Sequence, residues 1–158
     1  MIEKIEFVKR NNLIFVDCEA SGPAIGKGVL TEFGAVHYPS MLWLYGDMRE
    51  KNELEKCNIF VNFDVWLKEH CLKFQPVFVS DNPAFDWQWI NYNFWKYLDK
   101  NPFGWSARRI GDYYAGLVGH FGSATKWKKL RITKHTHHPV DDAMGNAEAF
   151  KRIENGER

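Results

Sequence analysis

The sequence predicts an α/β fold, a mixed central β-sheet with helices packed against it. Two observations carry this. Three strand-like segments follow one another near the N-terminus with short connections, and strand and helix patterns then alternate to the end of the chain. The 158 residues suit a single domain spanning 1–158, and no internal repeat, low-complexity tract or linker divides them.

The first strand is the apolar, β-prone run Leu13-Ile14-Phe15-Val16, which leads into Asp17-Cys18-Glu19. A glycine-rich loop, 20–28, follows. Val29 to His37 alternates as a second strand, Pro39-Ser40 marks a turn, and Met41 to Tyr45 forms a third, so that the three make an antiparallel meander. Residues 50–73 mix charged and apolar positions and contain helix around Val65-Trp66-Leu67. Val77 to Ser80 is a short apolar strand after Pro76. Pro83 opens a helix to about Leu98, with Phe85, Trp89 and Tyr92 near helical spacing. Another helix is predicted over 107–118. The last begins near Pro139 and reaches about Ile153, burying Val140, Met144, Ala147 and Phe150, and Gly156 ends it.

Hydrophobic residues make up 45% of the chain and aromatics 16%, which excludes a disordered polymer and predicts a packed globule. Trp87 and Trp89 are read as core residues rather than base-stacking platforms. No apolar run is long enough to span a membrane. The start, Met1-Ile2-Glu3-Lys4-Ile5-Glu6, lacks the basic segment and apolar stretch of a secretory signal. The cysteines Cys18, Cys57 and Cys71 form no Cys-x-x-Cys pair, so reduced thiols and a cytoplasmic location are expected. Net charge is +1, unevenly spread: residues 1–100 carry 11 basic and 14 acidic groups, residues 101–158 carry 10 and 6. Within the second part Lys126, Lys128, Lys129, Arg131 and Lys134 form a run free of acids. Such a run tracks phosphates only if it flanks a reactive site; otherwise it is a solvated loop.

Asp17 and Glu19 are two apart on a strand, so both carboxylates leave the same face while Cys18 points to the other. Ionised groups at the end of an apolar strand need partners, and a hard divalent cation, Mg²⁺ or Mn²⁺, is one. Two later segments join them, Ser80-Asp81-Asn82-Pro83-Ala84-Phe85-Asp86 and His137-His138-Pro139-Val140-Asp141-Asp142. The order Asp-x-Glu, Asn-x-x-Phe-Asp, His-x-x-x-x-Asp resembles the DnaQ-like, or DEDDh, family of 3′-to-5′ exonucleases, most of all its RNase T-like exoribonuclease branch. The resemblance runs from about Leu13 to about Phe150.

That resemblance implies an RNase H-like sheet and a metal-dependent 3′-to-5′ exonuclease acting on single-stranded nucleic acid with a free 3′ end, RNA favoured over DNA. It implies two divalent ions held by Asp17, Glu19, Asp86 and Asp142, with Glu19 near the scissile group and His137 as general base. It places Asn82 and Phe85 near the terminal nucleotide; Lys126, Lys128, Lys129 and Arg131 are the phosphate-tracking candidates. Spacing from His137 selects Asp142 over Asp141, which is read as a helix-start acid. Asp81 and Asp112 are read as loop and helix-surface residues.

Two decoys are set aside. Gly22-Pro23-Ala24-Ile25-Gly26-Lys27-Gly28 is one residue short of a P-loop between its glycines and lacks the Ser/Thr after lysine. His135, His137 and His138 lack companion cysteines at zinc-ligand spacing, so one catalytic histidine with two loop neighbours is the simpler reading. The rival functions are a DNA exonuclease or proofreading subunit, a nucleic-acid-binding module without activity, and a phosphohydrolase of free nucleotides. A homodimer is an option the residues leave open.

Overall fold

The computed structural model describes residues 11–158. The reading of the Met1–Glu6 start lies outside the described residues. The sheet has five strands in the order β3-β2-β1-β4-β5, formed by β1 (Leu13–Ala20), β2 (Leu30–Tyr38), β3 (Trp43–Asp47), β4 (Val77–Ser80) and β5 (Ala107–Arg109). β1, β2 and β3 are the antiparallel meander; β4 then lies parallel to β1, and β5 parallel to β4. This is a mixed α/β sheet consistent with an RNase H-like exonuclease fold.

Helices cover both faces, because β1 alternates its apolar side chains to two cores. Ile14, Val16 and Cys18 pack with Phe33, Phe78 and the aromatic faces of α1 (Glu53–Cys71) and α2 (Pro83–Leu98), where Phe60, Phe63, Trp89 and Phe94 are buried. Phe15 points the other way, to Val36, Val79, Ile110 of α3 (Ile110–Val118) and Ala143, Ala147 and Phe150 of α4 (Pro139–Glu154). Cys18 is therefore a buried core residue opposite the carboxylates. Trp89 is fully buried and Trp87 packs edge-on to Phe78. Among the described residues no helix is long and apolar enough to cross a membrane.

Two expectations on the elements are corrected, and a third gains its bounds. The segment read as one helix over 107–118 divides: Ala107–Arg109 pairs with Phe78–Ser80 as β5, and the helix begins at Ile110. The third strand is Trp43–Asp47 rather than Met41 to Tyr45, because Met41 takes a left-handed φ of 61° in the turn. The helix expected within 50–73 is α1, Glu53–Cys71. It starts at a capping box in which Asn52 Oδ1 accepts the Glu55 N–H and the Glu55 carboxylate accepts the Asn52 N–H.

One glycine governs how α4 meets the sheet. Gly34 is the β2 partner of Asp17, and a Cβ there would lie 2.4 Å from the Pro139 carbonyl carbon and oxygen. Its missing side chain lets the N-terminus of α4 lie directly on the strand. Gly34→Ala is expected to destabilise by about 1–3 kcal/mol, because backbone cannot step aside as a flexible side chain would. A thermal melt should show a loss of roughly 2–10 °C; an unchanged Tm would contradict this account of the contact.

Candidate metal centre at the end of strand β1

Asp17 and Glu19 leave β1 on the α4 side of the sheet, as Phe15 does. Asp142 enters from the first turn of α4, delivered by the Gly34–Pro139 contact. Carboxylate oxygens of Asp17, Glu19 and Asp142 lie within 4.8 Å of one another. The Asp142 side chain is 1% exposed. Its Oδ1 accepts the Thr136 N–H at 3.0 Å, while its buried Oδ2 has no hydrogen-bond partner among the described residues. His135 Nδ1 is only 2.8 Å from Oδ2 but off the line that a hydrogen bond needs.

Asp86 occupies the first turn of α2 and is buried. It stands beside the trio rather than inside it, with Oδ1 accepting the Cys18 N–H at 3.1 Å. That bond fastens the start of α2 to β1 between the two strand carboxylates. Gln88, two residues on, ties α2 to the loop after β1. Its Oε1 accepts the Ile25 N–H and its Nε2 donates to the Pro23 carbonyl, both at 3.2 Å.

The crowding is visible in the acidities. Asp17 is pushed up to about 9 by burial first and then by the charges of Asp86, Asp142 and Glu19, with only Arg131 opposing. Burial, aided by Asp81, raises Asp86 to about 7 against backbone contacts from Cys18 and Asn82 and the neighbouring Ser80 hydroxyl. Glu19 is raised by burial and by Asp142 and Glu32, while His137 and His135 oppose. Burial first, and neighbouring acids second, hold these carboxylates away from their ordinary ionisation. The residues fit a hard divalent cation: the donors are all oxygens, and the orphaned Asp142 Oδ2 is a buried acceptor aimed into the cluster.

The three histidines divide: the rings of His135 and His137 meet beside the acids, and His138 lies elsewhere. His137 adopts φ 62°, a left-handed turn rare for a residue with a side chain, and its Nδ1 lies 4.0 Å from Glu19 Oε1. His138 is the N-cap residue of α4, and its ring lies against Tyr45 of β3 at a centroid distance of 5.1 Å, away from the acids. His135, read from sequence as a loop neighbour, has its Nδ1 2.8 Å from Asp142 Oδ2. Thr136 fixes the segment: its N–H goes to Asp142 and its hydroxyl to Asp141 Oδ2 at 2.8 Å.

The basic run divides as well. Lys128 Nζ is 2.6 Å from Asp81 Oδ2. Arg131 lies over the Trp127 ring and donates to Asn146 Oδ1 at 3.0 and 2.5 Å. Both of these phosphate-tracking candidates also contact the half-buried loop acid Asp81, Arg131 at 3.7 Å. Lys126 and Lys129 are exposed and make no ion pair among the described residues. Asn82 is exposed at the N-cap of α2 with no side-chain cap bond. Phe85 is half-buried, its ring edge-on to Trp89 at 6.0 Å.

No protein-family model matches the chain. The sequence is similar to the 3′-5′ DNA exonuclease Cap18 of Escherichia coli, with 29% identity over 174 residues, covering 89% of this chain and 90% of that protein.

Proposed function

We propose that this chain is a 3′-to-5′ exonuclease, working as one domain over 1–158, that hydrolyses single-stranded nucleic acid to nucleoside 5′-monophosphates. The observation that carries the reading is the convergence of Asp17, Glu19 and Asp142 with Asp86 beside them and His137 at their rim. Similarity to a DNA exonuclease over most of both chains supports the reaction class and favours DNA as the substrate. The RNA preference expected from the RNase T-like resemblance is the second reading.

In this reading the four acids hold two divalent ions, Mg²⁺ or Mn²⁺. When bound, such ions neutralise the scissile phosphate and the charge that develops on the attacking and leaving oxygens. The chain's own residues do the rest. Thr136 orients Asp142 through Oδ1, leaving Oδ2 free to ligate. The Cys18 N–H fixes the rotamer of Asp86. His137, exposed at the cleft edge, accepts the proton from the attacking water, a task that suits an imidazole near neutral pH.

Single-stranded DNA and RNA of matched sequence, labelled at the 5′ end, test this with and without chelator. Stepwise shortening from the 3′ end in Mg²⁺ or Mn²⁺, abolished by chelation and faster on DNA, is the expected result. Faster loss of RNA would reverse the substrate order. Internal fragments, cleavage of a circular strand, or undiminished activity in chelator would overturn the exonuclease reading.

A further inference from the structure

We propose that His135, His137 and Asp142 form a second cation site, adjacent to the carboxylate trio, for an imidazole-preferring divalent ion of the zinc class. One ligand atom from each of the three lies within 4.8 Å of the others. The two imidazoles meet edge to face at a centroid distance of 4.3 Å. The set offers two nitrogens and one carboxylate oxygen, leaving the fourth position of a tetrahedral ion open. Hard ions favour the all-oxygen cluster, whereas imidazole draws zinc, cobalt and nickel.

Independent support comes from Asp142. Its Oδ2 is buried and has no hydrogen-bond partner among the described residues, and its Oδ1 is already held by Thr136. A carboxylate oriented through one oxygen and orphaned at the other is the arrangement that metal-ligating carboxylates show. Thr136 sits between the two histidines and bonds both Asp141 and Asp142, so one residue sets the loop from which both rings project. The left-handed φ of His137 brings its ring back to the same side as His135. The sequence argument against zinc was the lack of companion cysteines; the third ligand is a carboxylate from the following helix.

Asp142 belongs to both clusters, so an ion at the histidine site and one on the carboxylate trio compete for it. Occupancy would also take His137 out of proton transfer. That consequence rests on the proposed exonuclease activity; the binding itself does not.

The test uses the full chain with Asp17→Asn and Asp86→Asn, which weakens the carboxylate site and leaves all three proposed ligands. Zn²⁺ titration by calorimetry and the ligand-field spectrum of bound Co²⁺ read the site directly. One equivalent of Zn²⁺ is expected, with affinity reduced at least about 10-fold by His135→Ala and by His137→Ala and unchanged by His138→Ala. In the wild-type chain, added Mg²⁺ should weaken Zn²⁺ binding. Equal Zn²⁺ affinity in the folded His135→Ala and parent proteins would overturn the proposal, as would a Co²⁺ spectrum without nitrogen ligation. A wild-type chain that binds Zn²⁺ in this way but shows no Mg²⁺- or Mn²⁺-dependent nuclease activity would sink the exonuclease reading alone. The reverse pattern would sink the histidine site alone.

Discussion

Asp17→Asn should lower turnover by about 10³-fold or more while raising the stability of the metal-free protein. The activity loss follows from charge: electrostatic stabilisation by bound ions is worth several kcal/mol, and each ~1.4 kcal/mol is tenfold in rate. The stability gain follows from burial first and crowding second. Asp17 titrates near 9 in the folded chain against an ordinary 3.8, so between those values the folded state holds a proton that the unfolded state releases. Stability of the metal-free protein therefore falls as pH rises through that window. Asparagine has no such proton, so the variant should lose less Tm between pH 5 and pH 8. Melts in chelator at the two pH values, together with initial rates in Mg²⁺, check both halves. Near-normal turnover would remove Asp17 from the site, and an unchanged pH slope would remove the crowding argument.

His137→Ala should cost roughly 10²- to 10⁴-fold in rate, the usual contribution of a positioned general base. His138→Ala should cost little, since that ring rests on Tyr45 and faces β3. Binding of Mg²⁺ or Mn²⁺ should survive in both, because the carboxylates are untouched. Single-turnover rates at saturating metal separate the chemical step from binding. A larger loss in His138→Ala, with both proteins folded and metal-loaded, would move the base by one residue.

The parts of the fold that could be read from sequence are those written locally. β1 and β4 are apolar runs between turn residues, and α2 and α4 each begin at a proline that suits a first helical turn. β5 is not written locally: Ala107-Arg108-Arg109 becomes a strand because Phe78–Ser80 lies alongside to pair with it. α1 does carry the core spacing Phe60, Phe63, Leu67 and Cys71, but exposed Leu54, Val61 and Val65 blur it. At the site, the family resemblance grouped the acids and, through the spacing to Asp142, favoured His137 over His138. It could not find His135, whose approach to Asp142 depends on how the Thr136 turn folds back. Nor could it show that Lys128 pairs with Asp81 and Arg131 with Asn146, because those partners come from distant segments.

The Gln88 crosslink has a mechanical consequence. Its two bonds join the loop after β1 to the same helical turn that carries Asp86, and Asp86 is itself bonded to β1 at Cys18. Strand, loop and helix start thus close a ring of contacts beside the acids. The 20–28 loop is thereby tied to the same helical turn that carries Asp86, one amide side chain serving as the link.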